Sequence, residues 1–160
     1  MKVYKLERKM IIPVSLEDAW EFFSSPYNLE KITPGYMKFK ITSDLKSLFM
    51  RVGMRIEYTV CPVPYMRLKW ITLISDVSAP YKFKDMQVKG PFKLWEHTHM
   101  FKETEAGVEM TDEVKYALPL GVLGALAHYI MVKKQLRIIF DYRRTVIEKI
   151  FQTAAYGKSN

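Results

Sequence analysis

The stretch FKLWEHTHMFKETEAGVEMTDEVKYA, Phe92 to Ala117, decides the fold. Both halves alternate apolar and polar residues, and Glu105-Ala106-Gly107 between them reads as a tight turn. Pairing the halves about that turn sets Phe101 opposite Met110, His99 opposite Asp112, His97 opposite Val114 and Trp95 opposite Tyr116. The other face then carries Glu96, Thr98, Lys102, Glu109, Thr111, Glu113 and Lys115, so it is the wet one. A slip by one residue would turn Trp95 and Phe101 to water, at about 1.5–3 kcal/mol for each large side chain. His97 and His99 therefore point inward among aromatic residues.

Upstream, the same alternation predicts strands over Val3–Ile12, Met37–Thr42, Met54–Val60, Tyr65–Ser75 and Tyr81–Val88. Strands wet on one side only belong to antiparallel sheets. Parity places Phe83, Asp85 and Gln87 on the inner face of Tyr81–Val88, opposite Lys82 and Lys84. Ser15-Leu-Glu-Asp18 fits a capping box ahead of Ala19, Trp20, Phe22 and Phe23, which gives a short helix ending near Pro26. A second short helix is expected over Asn28–Ile32, before Thr33-Pro34-Gly35.

After Pro119 the period changes from 2 to about 3.6. Leu123, Leu126, Ala127, Ile130, Leu136, Ile139, Phe140, Val146, Ile147 and Ile150 form one apolar stripe. A helix of about thirty residues, roughly 45 Å at 1.5 Å per residue, must lie across a broad sheet to bury that stripe. The layout is α+β: a curved antiparallel sheet of about seven strands wrapped on a long C-terminal helix, with two short helices after strand 1. Residues 1–155 form one domain, and 156–160 are expected to be a disordered tail.

Composition sets the outer bounds. The chain has 160 residues, 49% hydrophobic and 26% charged, which are globular values. Aromatics make up 14% and there are ten Met, residues that fill cores and also line adaptable apolar pockets. Cys61 is the only cysteine, which excludes an internal disulfide and makes a reducing, cytoplasmic setting the expectation. MKVYKLERK lacks the apolar run of a signal peptide, and Ala117–Val132 is too interrupted to span a bilayer. The net charge of +8 invites nucleic acid, but the basic residues are dispersed and no phosphate loop or RNA-binding signature appears. A solvated basic exterior is expected instead, with weak attraction to anionic lipid headgroups open.

These features together resemble the START/Bet v 1-like (SRPBCC) superfamily, in particular its bacterial polyketide cyclase/dehydrase and lipid-transport-like branch. The resemblance covers nearly the whole chain. It rests on Ser15-Leu-Glu-Asp-Ala-Trp20-Glu-Phe-Phe, Asn28-Leu-Glu-Lys-Ile-Thr-Pro34, Trp70, Gly90-Pro91-Phe92, Trp95-Glu-His97-Thr-His99, Met110-Thr-Asp112-Glu113 and the terminal amphipathic helix. It implies a helix-grip fold with a cavity between sheet and helix, and a function in that cavity. Members include carriers, receptors, aromatase/cyclases and hydrolases, so fold does not select among them.

Candidate ligand-contacting residues are Trp20, Tyr58, Trp70, Phe83, Trp95, Phe101, Met110, Tyr116, Leu126 and Ile130 on the apolar side. The polar group is Asp85, Gln87, His97, His99 and Asp112, with His99–Asp112 and His97 with Asp85 or Gln87 as the expected pairs. Phe23, Met54, Ile74, Leu123, Phe140 and Val146 are further wall candidates, and His128 reads as a helix-surface or cavity-rim residue. The cavity should open among Asn28–Gly35, Pro62-Val63-Pro64 and Leu118–Gly124.

Four readings of the histidine pair follow. In the first the rings are buried polar groups satisfied by acids; in the second they orient a ligand's polar head. His99 with Asp112, His97 beside them, could do the acid–base work of a cyclase. Last, His-x-His could ligate a metal. No third histidine is near and metal is not typical of the resembling branch, so neither metal nor cofactor is expected. The leading function is binding or transport of a hydrophobic or amphipathic small molecule such as a lipid, quinone or polyketide. A cyclase/dehydrase-type enzyme and a basic-surface interaction module are the alternatives. Oligomeric state is not legible.

Overall fold

The computed structural model describes residues 1–45, 47–63 and 65–157, with 153–157 by backbone alone. Residues 158–160 of the expected tail, and Pro64 of the expected mouth, lie outside the described residues.

Strand β1 (Tyr4–Ile12) leads to helix α1 (Leu16–Phe23), where the Ser15 hydroxyl accepts the Asp18 N–H as the capping pattern requires. A 3₁₀ turn at Pro26–Leu29 replaces the expected second helix, because Pro26 opens it and only one turn follows. The strands β2 (Lys40–Ile41), β3 (Arg55–Val63), β4 (Met66–Ser78), β5 (Lys82–Lys89), β6 (Leu94–Thr104) and β7 (Gly107–Ala117) complete one antiparallel sheet of seven strands, in the order β1-β7-β6-β5-β4-β3-β2. The β6–β7 register pairs Phe101 with Met110, His99 with Asp112, His97 with Val114 and Trp95 with Tyr116, as the alternation predicts. Strand β2 is far shorter than expected, since Gly35–Met37 coils into a 3₁₀ turn and Lys38 takes a left-handed φ of 45°. Gly107 takes φ +121°, and a Cβ there would lie 2.2 Å from the Ile12 carbonyl oxygen, so the β6–β7 turn admits only glycine.

The wet face of the sheet carries cross-strand ion pairs such as Lys84–Glu96 and Lys5–Glu113, both at 2.8 Å. The inner face meets α1 through Leu16, Ala19 and Phe23, with Trp20 edge-on to both Phe83 and Phe101 at 5.9 Å. This cluster closes one end of the molecule.

The C-terminal helix departs from expectation. It comprises α2 (Gly121–Ala127), a π-helical turn (His128–Val132) and α3 (Lys133–Gly157). From Leu136 onward the expected stripe is correct: Leu136, Phe140 and Ile147 are buried. Before the π turn it is not. Leu123, Leu126 and Ile130 are 68%, 56% and 66% exposed, while Gly124 and His128 face inward. A π turn holds an extra residue, so it rotates the helix before it relative to the helix after it. The inward series becomes Gly124, His128, Val132, Leu136 and Phe140, each four apart. Gly124 is needed there, because a Cβ would stand 2.0 Å from the Pro119 carbonyl oxygen. His128 is buried rather than at a rim. It shares a hydrogen bond with the Tyr116 hydroxyl at 2.9 Å and stacks on Tyr4.

Candidate functional site

Between the concave sheet and α3 lies a cavity of about 310 Å³. Strands β3 and β4 furnish Ile56, Tyr58, Trp70, Thr72 and Ile74, and α3 furnishes Leu136, Ile139, Phe140 and Arg143. Fully buried Ile56, Ile74 and Phe83 mark its deep end, and half-exposed Met66 and Met131 its outer end. Gln135 braces that outer end by donating to the Tyr36 hydroxyl at 2.8 Å and the Pro62 carbonyl at 3.1 Å.

One wall is polar. His97 and His99 leave β6 on the same face with ring centroids 3.8 Å apart. Asp112 on β7 and Asp85 on β5 flank them from opposite sides. His97 Nε2 hydrogen-bonds Asp112 Oδ1 at 2.8 Å. His99 Nδ1 lies 2.8 Å from the same oxygen but off the line of a directed hydrogen bond, so that contact is one of charge. The nitrogens on the far side, His97 Nδ1 and His99 Nε2, stand 3.7 Å and 3.5 Å from Asp85 Oδ2. The expected pairing of His97 with Asp85 or Gln87 is thus corrected: Asp112 serves both rings and Asp85 faces both. Gln87 is elsewhere. Its amide donates to the Phe92 carbonyl at 2.7 Å and accepts the Phe92 N–H, bracing the Gly90-Pro91-Phe92 corner.

The electrostatics follow from burial and neighbours. Burial pulls the His97 pKa down, and His99 beside it adds to the effect. Burial also opposes charge on His99, but Asp112 and Asp85 outweigh it and hold its pKa above the ordinary imidazole value. Burial would raise Asp112, yet His99 and His97 hold its carboxyl well below the usual range. Burial raises the Tyr58 hydroxyl, which shares a 3.3 Å contact with Thr72.

Besides the histidines, two side chains on the lining hold donors without a partner among the described residues. Trp70 Nε1 and the Nε and Nη1 of Arg143 are sealed from water without a hydrogen bond. Arg143 lies over the Phe140 ring at 4.9 Å, which fixes the guanidinium against the cavity wall. Arg143 is one of the dispersed basic residues for which a solvated exterior was expected. Its spacing held the contrary signal, three residues after Phe140 and four before Ile147 on the buried side.

Of the sequence-predicted contacts, Tyr58, Trp70, Phe83, Asp85, Trp95, His97 and His99 line the cavity. Trp20, Phe101 and Met110 are packed into the core beside α1, because α1 covers that end of the sheet. Tyr116 belongs to a separate cluster with Leu136, Phe140 and Val114. Asp112 supports the rings from behind. Leu126 and Ile130 lie on the outer side of the helix for the reason given above. Leu29, Thr33, Pro62, Val63 and Leu118 bring the three expected mouth segments to the cavity. Chemically, the wall can orient a polar head, position a proton on His99 with Asp112 at its far side, or offer nitrogen and carboxylate ligands to a cation.

No family model matches the sequence, nor does any curated protein. Solved structures share the fold throughout. A Mycobacterium smegmatis protein is 15% identical with a TM-score of 0.66, covering 96% of this chain and 98% of its own. Major latex-like protein 151 of Panax ginseng is 13% identical with a TM-score of 0.68, over 93% and 97%. A norcoclaurine synthase point mutant from Thalictrum, solved with a transition-state analogue, is 14% identical with a TM-score of 0.64, over 92% and 96%. At these identities the likeness is one of fold. Among the described residues no helix is long and apolar enough to cross a membrane.

Proposed function

We propose that this helix-grip domain, built on the START/Bet v 1-like plan, binds or carries a hydrophobic or amphipathic small molecule of lipid, quinone or polyketide type. The ligand's oxygen-bearing head meets Arg143 and Trp70. The observation that carries the reading is that two side chains of a mostly apolar lining, Trp70 and Arg143, hold sealed donors with no partner among the described residues. A buried donor left unpaired costs about 1–3 kcal/mol, more when charged. A carboxylate, carbonyl or phenol oxygen relieves that cost while the ligand's apolar body fills the cavity, whose size suits a small organic molecule. Cys61, buried and free, suits a reducing compartment, and the cytoplasm is the proposed place of action.

Two measurements check this. Native mass spectrometry of freshly purified protein should show an added organic mass. A fluorescent fatty-acid probe should bind, and Arg143→Met should weaken it about tenfold to a hundredfold, the value of a charge-assisted hydrogen bond. A neutral apolar probe should be unaffected by that change. Failure of both probes to bind, with no added mass, would end the reading.

A second reading, peripheral contact with an anionic membrane, is favoured by one observation. Leu120, Val122, Leu123, Leu126, Tyr129 and Ile130 form an exposed apolar surface on α2 and the π turn, beside Lys133, Lys134 and Arg137. Met131, at the cavity's outer end, adjoins it. Apolar side chains beside basic ones suit the boundary of an anionic bilayer. Vesicles containing phosphatidylserine should sediment the protein at low salt, and Leu126→Glu with Ile130→Glu should release it. Since surface charge is screened within about 10 Å at 0.1 M salt, binding should fall steeply toward physiological salt; retention unchanged by salt and by both substitutions would refute this contact.

A further inference from the structure

We infer that Asp85, His97 and His99 form a binding site for one divalent transition-metal ion, set in the cavity wall with Asp112 fixing both imidazole rings from behind. The inference deepens the cavity reading and rests on it only for access to the ion. The argument begins with Asp112. His97 Nε2 makes a directed 2.8 Å hydrogen bond to the Asp112 oxygen and so bears a proton; His99 Nδ1 stands equally close to that oxygen, though off the bond line, and a proton there turns a repulsion between lone pairs into an attraction. This assigns the proton to Nε2 in His97 and to Nδ1 in His99. The remaining nitrogen of each neutral ring, His97 Nδ1 and His99 Nε2, then presents a lone pair toward Asp85 Oδ2, which is also an acceptor. Three acceptors converge with their donor atoms within 4.8 Å of one another.

Such a convergence requires positive charge between them. A proton on His99 satisfies one edge and leaves His97 facing the carboxylate with a lone pair. A divalent ion satisfies all three. It also balances charge, because two neutral rings and two carboxylates sum to −2 in a site taken largely out of water. The spacing fits. Ligand atoms around a tetrahedral ion with bonds of about 2.0–2.1 Å stand roughly 3.4 Å apart, close to the observed 3.5 Å and 3.7 Å. Ligating histidines characteristically donate their other N–H to a carboxylate, as His97 does to Asp112, while His99 meets the same oxygen by close charge contact. Two imidazoles and one carboxylate select zinc, iron, cobalt or nickel over magnesium or calcium. All three ligands line the cavity, so the ion's remaining positions open toward whatever the cavity holds.

The test uses tag-free protein, stripped with a chelator, desalted and titrated with cobalt(II) alone while visible absorption is read. One saturable cobalt per chain is expected. Asp85→Asn and His99→Asn should abolish the signal, with circular dichroism confirming that each variant is folded. Asp112→Asn should keep the stoichiometry but weaken affinity about 10–100-fold. Absence of saturable absorption in the wild type overturns the site even if a variant cannot be purified, as does cobalt binding that Asp85→Asn leaves unchanged. The fatty-acid probe is measured on the same samples. Probe bound without cobalt overturns the metal site and spares the cavity reading; cobalt bound without probe does the reverse.

Discussion

Asp112→Ala should destabilise the folded protein by about 3–5 kcal/mol, the cost of removing one partner from a buried ion pair. The single oxygen that touches both rings is lost, and His97 and His99 are left buried beside each other with only Asp85 at 3.5–3.7 Å. The effect has a defined pH signature in chelator-treated protein. The Asp112 carboxyl is held below its ordinary value in the fold. Its contribution is therefore fully present above the unfolded value, about 3.9, and is lost as pH falls through the lower folded value. Urea unfolding at pH 7 should show the full gap between wild type and variant, and near pH 3 the gap should narrow, since the unfolded carboxyl takes up its proton first. A loss under about 1 kcal/mol at pH 7 would place Asp112 among ordinary surface acids.

Phe101→Ala should cost as much for a different reason, about 3–5 kcal/mol from lost transfer energy and the void it leaves. Phe101 is 3% exposed and meets Trp20, Phe23 and Phe83 at 5.9, 5.5 and 6.2 Å. It does not line the cavity. Affinity of the folded variant for the fatty-acid probe should thus match wild type within about twofold while its thermal midpoint falls sharply, as a ΔΔG of this size requires. A large loss of affinity in fully folded variant would return Phe101 to the ligand wall.

The two substitutions mark what could be read from the sequence. Strand parity needs only a period of two and one polar face, so the β6–β7 register and the inward aim of His97 and His99 were legible before any coordinates. Parity also chose Asp85, whose carboxylate faces both rings at 3.7 and 3.5 Å. It could not say how far along the sheet α1 reaches. Trp20, Phe101 and Met110 therefore looked like cavity wall when they are core. Nor could parity separate Gln87 from Asp85, two residues apart on one face, because Gln87 is drawn off by the local corner at Phe92. Helical periodicity failed where the backbone itself left the 3.6 repeat. Leu126 and Ile130 also stood off phase, about 80° and 120° round the helix from Leu136 at about 100° per residue, and the π turn carries Leu126 farther out.

That departure is a matter of one inserted residue. Each residue turns an α-helix by about 100°, so His128–Val132 works as a phase shifter between two otherwise similar stretches of helix. Were the segment plain α-helix, Ala125 and Tyr129 would stand within about 20° of the direction of Leu136 and take the places of Gly124 and His128, displacing His128 from Tyr4 and Tyr116. A single backbone unit thus chooses which ring roofs the sheet, the imidazole of His128 or the phenol of Tyr129.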